Sequence, residues 1–332
     1  MEHEALQQLV GALEPSVRQQ ALDLARQVRE HDGVEAISEA PLLALSDGDP
    51  FVTHILAWKN GELAGYSQRD AEGASAELAV IPGARRLGLA KAIVRTLATD
   101  TPQVRLWAHG DLGAARMVAD SVGLVAVREL WEMTSDRGRG GGPAGGASAG
   151  WPLDVTGGDS AGVAPAGGEG VAVPAAQGEP AARFAARGFN PSADRAAWID
   201  LNSAAFAGHP EQGKMRVEDL DRRMAEAWFD PAGLLFAVPV RADGSFGAPV
   251  GYVWTKIVDG IGEIYAIGVH PAAQGRRLGT WLLGVGLDHM ERLGITEVRL
   301  FVEADNAPAI ASYRRQGFVV TRRDIQYAFP EA

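Results

Sequence analysis

Residues 263–318 read EIYAIGVHPAAQGRRLGTWLLGVGLDHMERLGITEVRLFVEADNAPAIASYRRQGF. An apolar strand runs into a turn rich in Gln, Gly and Arg. An amphipathic helix and a second apolar strand follow. The stretch closes on Asn-x-x-Ala-x-x-x-Tyr-x-x-x-Gly-Phe, spanning Asn306 to Phe318. A strand that turns tightly into a helix gathers several backbone N–H groups at one point. The helix dipole adds favourable charge for an anion there.

Upstream the pattern recurs. Residues 78–90, LAVIPGARRLGLA, align without a gap to 267–279, IGVHPAAQGRRLG. In the first half FVTHILAW and ELAGYSQ read as strands around an Asn60-Gly61 hairpin turn. ELAVIP, the helical ARRLGLAKAIVRTLA, VRLWAHG, a helix near 113–122 and a strand at 124–133 come next. The second half repeats the order through LLFAVPV, VGYVWTKI, EIYAIGV, a helix near 278–293, VRLFVEA, a helix near 307–316 and FVVTRRDIQYAF. Two such units predict tandem copies of one α/β domain, each a mixed central sheet flanked by helices. The expected division is 1–135, a Gly/Ala/Pro linker at 136–180, and 181–332. The linker composition (GRGGGPAGGASAG, GGDSAGVAPAGGEG) lacks the apolar area needed to offset ordering. The alternative, a glycine-rich nucleotide loop, lacks a strand–turn–helix frame around it.

The chain of 332 residues is long enough for two cores. Its 46% hydrophobic and 22% charged content is that of an ordinary soluble protein. A net charge of −11 without a Lys/Arg-rich block argues against nucleic acid as partner. MEHEALQQLV does not read as a signal peptide, and no apolar run is of membrane-spanning length. The expectation is a cytoplasmic monomer with no membrane partner. No cysteine is present, so no disulfide, thiolate ligand or cysteine nucleophile is available. No cluster of His, Asp and Glu has metal-ligand spacing, so no metal is expected. His209, in a loop after Gly208, reads as structural rather than as a base.

Residues 263–318 closely resemble the acetyl-CoA-binding half of the GNAT acetyltransferase superfamily. The family turn is Gln/Arg-x-x-Gly-x-Gly/Ala. Arg85, Gly88 and Ala90 match it fully; Gln274 and Gly279 match it with Arg277, read as lying in the first helical turn, at the middle glycine. The resemblance assigns acetyl-CoA contacts to Leu78, Ala79, Val80, Arg85, Arg86, Leu87, Gly88, Leu89, Ala90 and Lys91 in the first copy. In the second copy it assigns them to Ile267, Gly268, Val269, Gln274, Gly275, Arg276, Arg277, Leu278, Gly279 and Thr280. Asn306, Ala307, Pro308, Ala309, Ile310 and Ala311 follow on the next helix. It also implies a bulged strand at 78–80 and 267–269, with free N–H groups for the pantetheine arm and one for the thioester oxygen. A fully paired strand is the alternative.

The family's general acid is a tyrosine four residues before the Gly-Phe pair, the place of Tyr313; packing alone is its other reading. The family's base often stands where Glu263 does. Counting without gaps, the first copy has Ala119 and Ala74 at these places. The second copy is therefore expected to be catalytic, and the first a degenerate copy that retains a cofactor turn.

NSAAFAGHPEQG (202–213), EAWFDP (226–231) and GYVWTK (251–256), in a tandem layout, resemble the mycothiol synthase family of actinobacteria. That family acetylates the cysteine amine of cysteinyl-glucosaminyl-inositol. The resemblance implies Glu39, Glu211, Lys256 and Glu263 as substrate contacts, with the substrate in a cleft between domains. Glu39 reads equally as a solvated acid. Phe301 stands where the family often has tyrosine, so that place either loses a hydroxyl contact or only packs. The competing readings are an acetyltransferase for another small amine or a protein N-terminus, and a non-catalytic acyl-CoA sensor.

Overall fold

The computed structural model describes residues 4–137, 171–172, 183–208 and 212–330. Most of the expected 136–180 linker lies outside the described residues. The first copy comprises β1 (Glu4–Val10), α1 (Pro15–Asp32), α2 (Glu39–Asp47), β2 (Thr53–Lys59), β3 (Glu62–Arg69), β4 (Ser75–Val80), α3 (Leu89–Asp100), β5 (Arg105–Ala108), α4 (Gly113–Val122) and β6 (Val125–Asp136). The second comprises β7 (Val171–Ala172), β8 (Arg183–Gly188), α5 (Arg195–Ala205), α6 (Val217–Met224), β9 (Leu234–Pro239), β10 (Gly251–Val258), β11 (Ile261–Val269), α7 (Leu278–Arg292), β12 (Glu297–Glu303), α8 (Ala307–Arg315) and β13 (Val319–Ala328). No described helix is long and apolar enough to cross a membrane.

The chain forms two compact units. The first holds Met1–Glu132, Val302–Ala307 and Val320–Ala332; the second holds Met133–Phe301 and Pro308–Val319. Thus nearly all of β13, which the repeat places at the end of the second copy, lies in the first unit. There it pairs antiparallel with β5, Ile325 against Ala108 and Tyr327 against Leu106.

In the first unit, Asn60 and Gly61 take positive φ (51° and 83°), as a two-residue hairpin between β2 and β3 requires. Period-two alternation sorts β2 onto two cores. Ile55 and Ala57 pack with Ile93, Val94 and Leu97 of α3. Leu56 packs with Leu24 and Val28 of α1 and with Tyr66 of β3. Strands β1 to β4 are antiparallel neighbours, whereas β4 and β5 are parallel and paired only at Ser75–Arg105 and Ala76–Leu106.

The second unit repeats this plan. Strands β8 to β11 are antiparallel, and β11 pairs parallel with β12 only over Gly262–Ile264 against Val298–Leu300. On one face, Trp198 of α5 and Leu220 of α6 pack on Phe236, Tyr252 and Trp254. Trp198 lies 5.4 Å, centroid to centroid, from both Tyr252 and Trp254. Each such ring pair contributes about 0.5–1.5 kcal/mol beyond its buried area. On the other face α7 approaches so closely that a Cβ at Gly286 would stand 2.8 Å from Val253 Cγ2. Both units therefore have a sheet that splits after its first parallel pairs, with a helix starting beside the split.

Candidate active site

The turn before α7 is shaped by two left-handed residues, Gly275 (φ 78°) and Arg277 (φ 57°). Their counterparts before α3 are Arg86 (φ 65°) and Gly88 (φ 91°). Arg277 is the N-cap of α7 and not a residue of its first turn. The backbone keeps the conformation of the usual glycine at some strain to the arginine. No side chain caps α3 or α7. The first N–H groups of each helix are therefore turned outward, an arrangement suited to a pyrophosphate. A Cβ added at Gly88 or Gly275 would meet nothing within 4 Å, so the approach to each turn is open.

The first residue of the motif ties the turn to the strand. Gln274 Nε2 donates to Val269 O at 3.2 Å, and Arg85 Nε donates to Val80 O at 3.1 Å. Arg85 is held further by a bidentate pair to Asp32, at 2.8 and 2.7 Å. Its side chain is thus committed to supporting the turn.

Strand β11 supplies the second element. His270 N–H donates to Val250 O at 2.9 Å. Antiparallel alternation then turns the N–H groups of Gly268 and Ala266 toward β10, and those of Ile267 and Val269 toward the opposite edge. Among the described residues, the β12 ladder on that edge ends at Ile264. The free donors arise from this divergence of parallel strands. The expected bulge at Ile267–Val269 is absent; the β10–β11 register shifts between Trp254 and Thr255, which leaves Tyr265 as the extra residue. No bulge interrupts Leu78–Val80 either, where β4 pairs regularly with β3. Gly268 is glycine for packing: a Cβ there would run into the Tyr252 ring.

The bulge also changes a correspondence. Glu263 pairs with Arg299 of β12, and Ser75 pairs with Arg105 of β5, the same arginine of the shared VRL motif. Ser75, not Ala74, is therefore the first-unit counterpart of Glu263. The gapless count missed the one-residue insertion at Tyr265.

Glu263 is buried, and Arg299 Nε donates to its Oε2 at 2.9 Å. On its other side it faces Lys256 of β10 across the ladder. Lys256 is buried too, with Nζ 4.7 Å from the Trp228 ring centre and 5.4 Å from that of Tyr265. Arg223 of α6 donates to the Tyr265 hydroxyl at 2.9 Å, which fixes the bulge residue. Arg299 also lies 6.0 Å over the Phe301 ring. Trp228, Tyr265, Arg223 and Arg299 were not singled out by the sequence. The spacing of Trp228 and Tyr265 around a lone lysine was the available signal.

Tyr313 sits in α8, its ring 6.1 Å from Phe318. Burial pushes its hydroxyl up to about 12, so it stays protonated at any working pH. The hydroxyl has no hydrogen-bond partner among the described residues. The adjacent Ser312 Oγ lies 2.9 Å from Thr280 Oγ1, which pins α8 to the first turn of α7. Ala307–Ala311 open α8 and Asn306 precedes it. Glu39 is the first residue of α2, half-buried, in the first unit. Glu211 and His209 lie outside the described residues. Among the described residues, no group of three His, Asp or Glu side chains is disposed to hold a metal ion.

The sequence profile of the acetyltransferase (GNAT) family matches residues 196–318. The chain is similar to a mycothiol acetyltransferase of Cellulomonas flavigena, 39% identical over 99% of this chain and 90% of that protein. It is similar also to a mycothiol acetyltransferase of Sanguibacter keddieii, 38% identical over 99% and 98%. Among solved structures it resembles a tandem GNAT protein from the clavulanic acid biosynthesis pathway, with TM-score 0.62 and 18% identity over 99% of this chain and 100% of that one. A GCN5-related N-acetyltransferase from Sphaerobacter thermophilus gives TM-score 0.61 at 21% identity, over 98% and 94%. These two structures speak for the fold, two GNAT units in tandem.

Proposed function

The chain belongs to the mycothiol acetyltransferase family within the GNAT acetyltransferases, and on that premise we propose how its residues perform the reaction. It transfers the acetyl group of acetyl-CoA to the cysteine amine of cysteinyl-glucosaminyl-inositol, giving mycothiol and CoA. The observation that carries the assignment of roles is Glu263, a buried carboxylate held by Arg299 on the strand whose free edge presents the Ile267 and Val269 N–H groups.

The amine nitrogen attacks the thioester carbon, and the carbonyl electron pair moves onto oxygen. An N–H of the β11 edge donates to that oxygen as its charge develops. Collapse breaks the carbon–sulfur bond, and the leaving thiolate takes the Tyr313 proton. The ammonium gives one proton to Glu263 through a water before it attacks; the second leaves the nitrogen as the intermediate collapses and, through solvent, restores the Tyr313 hydroxyl. An α-amino group has a pKa of about 7.7–8.0, so roughly a tenth is already neutral at pH 7. Supplying free amine is therefore worth only about 1 kcal/mol, and positioning together with the oxyanion donor accounts for most of the acceleration.

The uncapped starts of α3 and α7 are the assigned pyrophosphate sites, with the α7 site serving the reaction. Glu39, Glu211 and Lys256 are assigned to the substrate. The same reading has acetyl-CoA as donor without a metal, and a cytoplasmic monomer. Ser75 and Ala119 stand at the places of Glu263 and Tyr313, so the first unit has neither the base nor the acid at those two places.

The test is CoA release from acetyl-CoA with the cysteinyl compound, the uncysteinylated sugar and a panel of amines, with the acetyl group located by mass spectrometry. Rapid N-acetylation of the cysteinyl compound alone is expected. Turnover retained in a Glu263→Gln, Tyr313→Phe double variant would overturn the roles given to these residues.

A further inference from the structure

The first unit contains a buried ionic chain that the reaction above does not use. His109, at the end of β5, stands between two carboxylates. Its Nδ1 is 3.0 Å from Asp324 Oδ2 of β13, and its Nε2 is 3.3 Å from Glu77 Oε1 of β4. Asp324 accepts also from Gly110 N–H at 2.7 Å and lies 3.2 Å from Arg322 Nε. Glu77 accepts from Ser38 twice, from its N–H at 2.5 Å and its hydroxyl at 2.7 Å. Ser38 is the N-cap of α2, and its side chain does not cap the helix in the usual way. The Glu77 carboxylate receives those donors instead and sits where the helix dipole favours negative charge. The next residue is Glu39.

We propose that Asp324, His109, Glu77 and Ser38 form a positioning chain that sets the start of α2 and thereby aims the Glu39 carboxylate at the amine substrate. This rests on the reading that Glu39 is a substrate contact. The Ser38–Glu77 and His109–Asp324 links are hydrogen bonds of 2.5–3.0 Å and the His109–Glu77 link is an ion pair at 3.3 Å, so Ser38 is held where an isolated serine cap would allow rotation. His109 carries a proton on both ring nitrogens, because each faces a carboxylate. Glu77 in turn accepts both Ser38 donors. The device thus reaches from the C-terminal strand to a substrate-facing helix through side chains of a single unit. None of its members touches the substrate; each acts through Glu39.

The experiment is a double-mutant cycle in the full-length enzyme, with steady-state kinetics on the cysteinyl substrate and on acetyl-CoA. Ser38→Ala removes one donor and keeps the backbone bond, so it folds even if His109→Gln does not; thermal melting confirms this. Ser38→Ala, His109→Gln and Glu39→Gln are each expected to raise KM for the amine about three- to thirty-fold, with KM for acetyl-CoA unchanged. Added to Glu39→Gln, Ser38→Ala should then raise KM no further. Full additivity, or an unchanged KM in Ser38→Ala while Glu39→Gln raises it, overturns the positioning chain. An unchanged KM in Glu39→Gln itself overturns the substrate contact on which the chain depends, which separates the two failures.

Discussion

Arg299 donates its Nε to Glu263 Oε2 at 2.9 Å from the position beside it on the neighbouring parallel strand. One edge of the carboxylate is thus fixed by backbone pairing as well as by the ion pair. Glu263 is fixed in direction before any ligand arrives. Replacing Arg299 by Met removes a charge-assisted bond worth about 1.5–3 kcal/mol. We expect kcat/KM for the amine to fall about ten- to a hundred-fold at saturating acetyl-CoA. KM for acetyl-CoA should stay as it is, because the helix-start donors are untouched. Steady-state kinetics on both substrates checks this.

Tyr313→Phe removes one oxygen and keeps the ring against Phe318, so the fold should persist. In the proposed reaction the thiolate then leaves without its acid. A fall in kcat of about a hundred- to ten-thousand-fold is expected. With the hydroxyl held near 12, the wild-type pH–rate profile should show no alkaline limb from this group up to about pH 11. A limb near pH 10 that disappears in Tyr313→Phe would contradict the assignment.

His109 makes stability depend on pH in a defined direction. Burial alone would depress its pKa, yet Asp324 and Glu77 outweigh burial and hold it at about 10, against 6.5 when unfolded. A raised folded value means the stabilisation is complete below about pH 6.5 and is lost as pH climbs toward 10. Between those limits unfolding free energy should drop by up to about 1.4 kcal/mol per pH unit. His109→Leu should abolish that slope and, by taking the shared cation from two buried carboxylates, cost about 3–5 kcal/mol. On the acid side, burial alone would raise Asp324, but His109, Arg322 and the Gly110 N–H hold it below the usual carboxylate range. Its share of stability is present above about pH 4 and is lost as pH falls through its folded value. Denaturant titrations across pH 3–10 read both limbs.

Arg277 is the N-cap of α7 at φ 57°. Left-handed backbone costs a side-chain-bearing residue about 1–2 kcal/mol, and glycine recovers that minus its own entropy of about 0.5–1 kcal/mol. Arg277→Gly should therefore stabilise the enzyme by about 0.5–1 kcal/mol. KM for acetyl-CoA should change less than about three-fold, since the proposed cradle consists of backbone N–H groups. A lower denaturation midpoint would show that the guanidinium holds the turn.

What the sequence made legible was local. The two turns, the helices they open and the Asn60-Gly61 hairpin depend on residues a few places apart, and all are present as expected. The place of Tyr313 follows from its distance to Gly317 within one helix and its end. What escaped depends on register. A single bulged residue, Tyr265, makes Ser75 the first-unit counterpart of Glu263 and moves the irregularity out of Ile267–Val269. Hydrophobic pattern cannot count such an insertion, because both neighbours remain apolar. The Glu77–His109–Asp324 chain was hidden for a different reason. Its members are 32 and 215 positions apart, and no short motif announces a pairing made by strands so distant.

The placement of β13 has a consequence for how the protein is made. The first unit contains Val320–Ala332, and Asp324 within that strand completes the charge around His109. As the nascent chain leaves the ribosome, the first hundred-odd residues can collapse but cannot close their own sheet. The edge of β5 stays open until some two hundred further residues have been synthesised. Through that interval the half-built unit presents an exposed strand edge, a natural target for a chaperone or for pairing with the wrong chain. Proteolytic trimming of the last strand would undo the unit that was translated first.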